Sequence, residues 1–422
     1  MLAGRLTVAS LGSTLRARLG WPGFLLAWES PLWSALVAGL AYFAIACIHG
    51  FPPGLSQSPF YNYLADAFLH GQLYLRLIPE NVIDLVRYQG HYYLYWPPLP
   101  AVLLAPFVSI FGVGFSDAGL TVALGVMNVC LVALLIRRAD ITLDIGLTPQ
   151  QRAYLVLFFA LGTVHFALVG RGRVWETGQL TGFALVAAAY LCVLSFGGRK
   201  AFFLTGLFLG AAALTRNHLI LAGLWPAWYL LNRYWRAGWR RLAAHCLYGL
   251  LPIACAGALF AAYNWARFGN ALDVGLSNHL MDPVFREEFG RYGAFNLHYL
   301  PTNLYYQLVH IPLFGNSLMG GSLFLMSPLW FAIFWAGRDS KLRASAAVLG
   351  LGVLVADLPV LLLMGTGWRQ FGSRYTLDFT VALLLLAALG IRYWRLPVVR
   401  WLTIVSIGFF AGGAITLARI LQ

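Results

Sequence analysis

Charge is what this sequence has least of. Only 10% of its 422 residues are Asp, Glu, Lys or Arg, while 60% are apolar, and the mean hydropathy is +0.72. A soluble domain of that length needs far more polar surface, so the chain reads as a polytopic membrane protein. Missing motifs exclude more. There is no GxxxxGK[ST] and no strand–GxGxxG–helix unit, which argues against an ATP-driven pump. There is no GxSxG elbow and no HExxH, and His165, His218, His279, His298 and His310 are scattered without ligand spacing. The five cysteines (Cys47, Cys130, Cys192, Cys246, Cys255) have neither metal nor disulfide-framework spacing and read as small core residues. Residues 1–30 hold Arg5, Arg16 and Arg18 but no small-residue cleavage site, so the expectation is a cytoplasmic amphipathic leader.

What the chain does have is apolar runs and aromatics, with 15 Trp, 20 Tyr and 29 Phe suited to membrane interfaces. Apolar runs near 31–49, 117–136, 152–170, 178–196, 201–215, 217–232, 246–266, 319–336, 344–364, 376–391 and 399–418 approach the length that crosses about 30 Å of hydrocarbon. The expectation is an all-α transmembrane domain over 31–422 with about eleven spans. The runs at 201–215 and 217–232 are short, and a break at Arg216 is expected. With the N-terminus inside, the inner loops take 18 of the 29 basic residues but four of the 15 acids. The net charge of +14 is therefore a positive-inside signal and no nucleic-acid patch. An odd number of spans puts the C-terminus outside and leaves two long outer segments, 50–116 and 267–318.

In the first outer segment, "YNYLADAFLHGQLYL" (Tyr61–Leu75) and 97–112 read as helices lying in the interface. Between them "IDLVRYQGHYYLYW" alternates around Gln89-Gly90 and predicts a β-hairpin. Asp66 follows Tyr63 by three residues and precedes His70 by four, so the three share a helix face. Asp66 is either a surface Asp–His pair or a general base over a cavity. Asp84 either pairs with Arg87 or acts on a substrate, and Glu176 is either a loop charge beside Arg173 or a site residue. Asp357 lies at membrane depth, where an ionisable group is expensive. Asp117 reads as a helix cap. Arg216, Arg369 and Arg374 with Tyr375 sit on the outer side, where topology does not need them; they suit an acid partner or an anion such as a phosphate. Arg374 has Asp378 at i+4 as its alternative. Asp282, Glu287 and Glu288 offer oxygens to a divalent metal, or simply a solvated face.

A family resemblance rests on three stretches. Tyr61, Leu64, Ala65, Leu69 and Gly71 match Y-x-x-L-A-x-x-x-L-x-G. Pro97, Pro98, Leu99, Pro106, Phe107 and Gly112 match P-P-L-x-A-x-L-x-x-P-F-x-x-x-x-G. "LFLGAAALTRNHLILAGLWPAWYLL" and "FGSRYTLDF" follow in the expected order. The chain thus resembles the integral-membrane GT-C glycosyltransferases, by pattern those related to protein O-mannosyltransferases and lipid A aminoarabinose transferase.

That resemblance implies a helical bundle over an outer cavity and a sugar donor carried on polyprenyl phosphate. It also implies inverting transfer of a hexosyl or pentosyl group to a glycan, glycolipid or protein acceptor. A carboxylate would take the acceptor proton, and cations would hold the departing phosphate. The family's Asp-Glu pair is absent, because Gln57 and Ser58 stand there, and Trp96 replaces its basic residue. Asp66, Asp84 and Glu176 are then the candidate catalytic acids. Arg173, Arg216, Arg369, Arg374, His70 and Tyr375 are candidates for substrate binding. A transporter or flippase, or an inactive relative that binds a lipid-linked glycan, are the alternatives. The scarcity of lysine (Lys200 and Lys341 alone) hints at a bacterium with GC-rich codons, and the expected location is its inner membrane.

Overall fold

The computed structural model describes residues 21–49, 54–312, 320–365, 368 and 370–421. Most of the expected leader over 1–30, and Arg369, lie outside the described residues.

Eight described helices are long and apolar enough to cross a membrane: Pro31–Ile48, Asp117–Leu143, Pro149–Leu168, Val174–Ser195, Trp239–Phe268, Arg343–Leu361, Arg374–Ile391 and Leu396–Thr416. The protein is a multi-pass membrane protein. Eight falls short of the eleven runs counted in the sequence, and geometry explains the difference. Gly198–Ala213 has 16 residues and rises about 24 Å, less than the hydrocarbon thickness. The next run is broken, as expected, at Arg216: a 3₁₀ turn at Asn217–Gly223 precedes the helix Leu224–Tyr234. Pro328–Arg338 is 3₁₀ and spans 11 residues.

Val174–Ser195 and Arg374–Ile391 are almost wholly buried and form the centre, whereas Trp239–Phe268 is mostly exposed at the rim. His165 is buried in this core, its Nδ1 3.2 Å from the Tyr42 hydroxyl and its Nε2 3.4 Å from Asn128 Nδ2. It is a satisfied core histidine. Of the cysteines only Cys192 is buried; Cys47 and Cys255 lie on exposed faces, so reading all five as core residues was too broad.

The outer layer follows the sequence closely. Helix Phe60–Leu69 packs against Leu99–Phe111 through Phe60, Leu64, Ala101 and Leu104. The first of these helices ends in a Schellman cap: Gln72 N–H donates to Ala67 O at 2.9 Å, Gly71 N–H to Phe68 O at 3.0 Å, and Gly71 has φ +70°. Strands Val86–Tyr88 and His91–Tyr93 pair antiparallel with Tyr88 opposite His91. Their two-residue turn places Gln89 at φ 48° and Gly90 at φ 82°, the type I′ geometry that matches strand twist. The second outer segment is stitched to this hairpin, since Asp84 N–H donates to Leu280 O at 2.7 Å and Leu280 N–H to Leu85 O at 2.8 Å.

Candidate functional site

The two outer segments and the adjoining helix ends enclose a cavity of about 500 Å³. Gln57 and Ser58 line it, so the positions where the resemblance expects acids do reach the site, as an amide and a hydroxyl. Asp84 lines it too, with its side chain 23% exposed. Its backbone has φ 72°, a left-handed conformation that costs a non-glycine residue about 1–2 kcal/mol. The stitching to Leu280 holds that conformation and brings His279 Nε2 to 3.1 Å from Asp84 Oδ1. The contact is an ion-pair approach whose angle is too poor for a hydrogen bond. Among the described residues no hydrogen bond reaches the Asp84 carboxylate. The sequence alternative of an Asp84–Arg87 pair is not formed: Arg87 lies over the Tyr92 ring.

Asp282 and three arginines, Arg173, Arg216 and Arg374, make the rest of the charged lining. Arg173 and Arg374 lie 4.9 and 5.5 Å from the Trp175 ring, and Arg216 and Arg374 lie 5.1 and 5.0 Å from the Tyr375 ring. These aromatic faces hold the guanidiniums in place without neutralising them. Glu176, fully buried, is bonded by Arg173 and approached by Arg171 at 3.7 Å. Burial and then Arg173 pull Arg171 down to about 9. Asp378 takes Arg216 Nη2 at 3.0 Å, and the alternative i+4 pair of Arg374 with Asp378 is not formed. Arg374 Nη2 donates instead to the Tyr375 hydroxyl at 3.2 Å. Among the described residues the buried Nε atoms of Arg216 and Arg374 have no hydrogen-bond partner. Arg171, Arg173, Arg216 and Arg374 thus outnumber their ion-pair partners Glu176 and Asp378, and guanidiniums with donors left over suit an anion such as phosphate.

Tyr95 links the two sets. Burial first, then the Asp84 carboxylate, push its phenol well above the ordinary value, against the pull of Arg374 and Arg216. It stays a neutral donor between the acid and the cations.

Of the remaining candidates only Asp282 reaches the cavity among the described residues. Asp66 is absent from the cavity lining. The Gly71 turn reverses the chain and returns Arg76 over it, with Nε–Oδ2 and Nη2–Oδ1 both at 3.0 Å. His70, exposed, bonds the Asp66 carbonyl at 2.8 Å and also stays outside. Asp117 is the first helical residue after the cap Ser116 and accepts Ser56 N–H at 2.9 Å. Asp357 takes Gln307 Nε2 at 2.6 Å, a partner in the second outer segment. Asp282 lines the cavity and also caps a turn through Val284 N–H, whereas Glu287 and Glu288 are exposed and outside the lining. Among the described residues no three His, Cys, Asp or Glu side chains converge to hold a metal ion. Sequence reasoning missed His279, His218, Tyr95 and Trp175 as lining groups; the partners of the two histidines, Asp84 and Asp378, lie far along the chain.

No protein-family model and no curated protein matches the chain. Solved structures do. ArnT from Cupriavidus metallidurans bound to undecaprenyl phosphate superposes with TM-score 0.50 at 13% identity, covering 90% of this chain and 76% of that one. The Archaeoglobus fulgidus oligosaccharyltransferase in complex with zinc and sulfate gives TM-score 0.53 at 14% identity, over 92% of this chain and 52% of that one. Its apo form gives 0.51 at 12%, over 92% and 56%. The chain therefore spans about half the length of the oligosaccharyltransferase. The long apolar helices agree with these likenesses, and the chain has the GT-C fold.

Proposed function

We propose that the protein is a membrane glycosyltransferase that moves a sugar from a polyprenyl-phosphate donor to an acceptor hydroxyl or glycolipid on the outer side. One observation carries the reading: a single cavity presents the Asp84 carboxylate beside Arg173, Arg216 and Arg374, whose charge exceeds that of their acidic partners. It is supported by the likeness in fold to ArnT, whose structure holds undecaprenyl phosphate. In the proposed reaction the acceptor oxygen attacks the anomeric carbon and Asp84 takes its proton. The bond from that carbon to the phosphate oxygen breaks, and the guanidiniums stabilise the charge that develops there. One displacement inverts the anomeric centre.

Asp84 takes the part for which the sequence first offers Asp66. Glu176 becomes a positioning residue that holds Arg173 at the cavity wall, and Gln57 and Ser58 are available to sugar hydroxyls. The test uses the full chain reconstituted in vesicles and supplied with a panel of polyprenyl-phosphate sugars. Wild type is expected to transfer, and Asp84→Asn to lower kcat by about 10²–10⁴-fold. An Asp84→Asn protein that transfers at the wild-type rate removes Asp84 from the mechanism. A wild type that binds such lipids but transfers from none of them favours the inactive binding relative.

A further inference from the structure

The cavity has a second carboxylate–imidazole pair, differently arranged. In Asp84–His279 both groups line the cavity; in Asp378–His218 the carboxylate is buried behind and the imidazole alone lines it. Asp378 Oδ2 accepts from Arg216 Nη2 at 3.0 Å and lies 2.9 Å from His218 Nε2. A carboxylate facing two such partners acts as the acceptor, so Nε2 carries a hydrogen and Nδ1 is the nitrogen left for the cavity. Among the described residues Nδ1 has no hydrogen-bond partner. Arg216 alone already compensates Asp378, so balancing the buried charge does not require His218. The histidine stands two residues after Arg216, on the wall built by the guanidiniums.

Resting on the transferase reading, we propose that His218 is the proton donor to the departing polyprenyl phosphate, oriented by Asp378. With an anionic phosphate in front and Asp378 behind, the ring acts as imidazolium. As the bond from the anomeric carbon to the phosphate oxygen breaks, its electron pair stays on that oxygen. Nδ1–H of His218 gives its proton there, while Asp84 takes the proton of the acceptor hydroxyl. Solvent returns a proton from Asp84 to His218, so the acceptor's proton ends on polyprenyl phosphate and both groups are reset.

The experiment uses the full chain in vesicles with a polyprenyl-phosphate sugar that wild type accepts. His218→Gln keeps an N–H that can reach Asp378 but cannot donate as imidazolium. It is expected to lower kcat about 100-fold while the donor KM moves less than about threefold. His218→Ala is expected to lose activity and regain about tenfold or more when imidazole is added, which a purely structural role would not produce. Retention of the wild-type kcat by His218→Gln overturns the proposal. So does an inactive His218→Ala protein that binds polyprenyl phosphate normally but ignores imidazole. If wild type transfers and His218 proves silent, only this inference falls. If wild type transfers from no donor, the functional reading falls and takes this one with it.

Discussion

At the scale of single residues, the structure separates two acids that the sequence treats alike. Asp66 and Asp84 both belong to the first outer segment, yet Asp66 has each oxygen bonded by Arg76, whereas the Asp84 carboxylate lines the cavity and takes no hydrogen bond among the described residues. A carboxylate already holding a bidentate guanidinium is a poor base, because taking a proton would break that pair. Asp66→Asn is therefore expected to cost about 1 kcal/mol of stability, and Arg76→Ala to lower the unfolding temperature only slightly, because Arg76 is 39% exposed and its charge is screened. Transfer rates should stay within about threefold of wild type. Thermal unfolding in detergent, run beside the vesicle assay, checks both halves. Loss of transfer by Asp66→Asn at unchanged unfolding temperature would return the catalytic role to the interfacial helix.

At the scale of elements, what the sequence revealed was whatever a local signal encodes. Gly71 ends the interfacial helix, Gln89-Gly90 turns the hairpin, and Arg216 breaks an apolar run; each works within a few residues of itself. The cavity pairs were illegible for the opposite reason. Asp378 meets Arg216 and His218 across 162 and 160 positions, and nothing near any of them announces the partner. Small residues fall between these cases. Gly210 lies in the stretch that carries the family resemblance and Gly206 directly precedes it, and the structure supplies the reason for them. A Cβ at Gly206 would stand 2.0 Å from the backbone oxygen of Gly249, so Gly198–Ala213 and Trp239–Phe268 touch almost backbone to backbone. Gly206→Val is expected to destabilise by about 1–3 kcal/mol and to lower transfer as well, because this helix carries Arg216 to the cavity. Gly257→Ala is the matched control: nothing lies within 4 Å of the added carbon, and helix propensity favours alanine by up to ~1 kcal/mol. Unfolding temperatures of the two variants in detergent should move in opposite directions.

At the scale of the whole molecule, charge sorts the chain into two sides, and contacts agree with the sorting. Arg152 pairs with Glu29 and Asp140, and Arg392 with Asp339, all within loops that the positive-inside tendency puts together. Asp66–Arg76, Arg171–Glu176, Arg173–Glu176, Arg216–Asp378, His218–Asp378 and His279–Asp84 join residues of the other side. Among the described residues no ion pair connects the two sets, although a wrong division would mix them. The cavity belongs wholly to the set with balanced charge. The arginine-rich set would therefore face the cytoplasm and the cavity the opposite side, where a lipid-linked sugar would meet it. Single cysteines test this directly once the five native ones are replaced. Gln89→Cys sits on the exposed hairpin turn, and Arg240→Cys is exposed at the start of Trp239–Phe268. In intact cells an impermeant maleimide is expected to label position 89 at once and position 240 only after permeabilisation. Labelling of both from outside would break the two-sided division, and the reverse pattern would turn the cavity to the cytoplasm and overturn the outer-side reading of its chemistry.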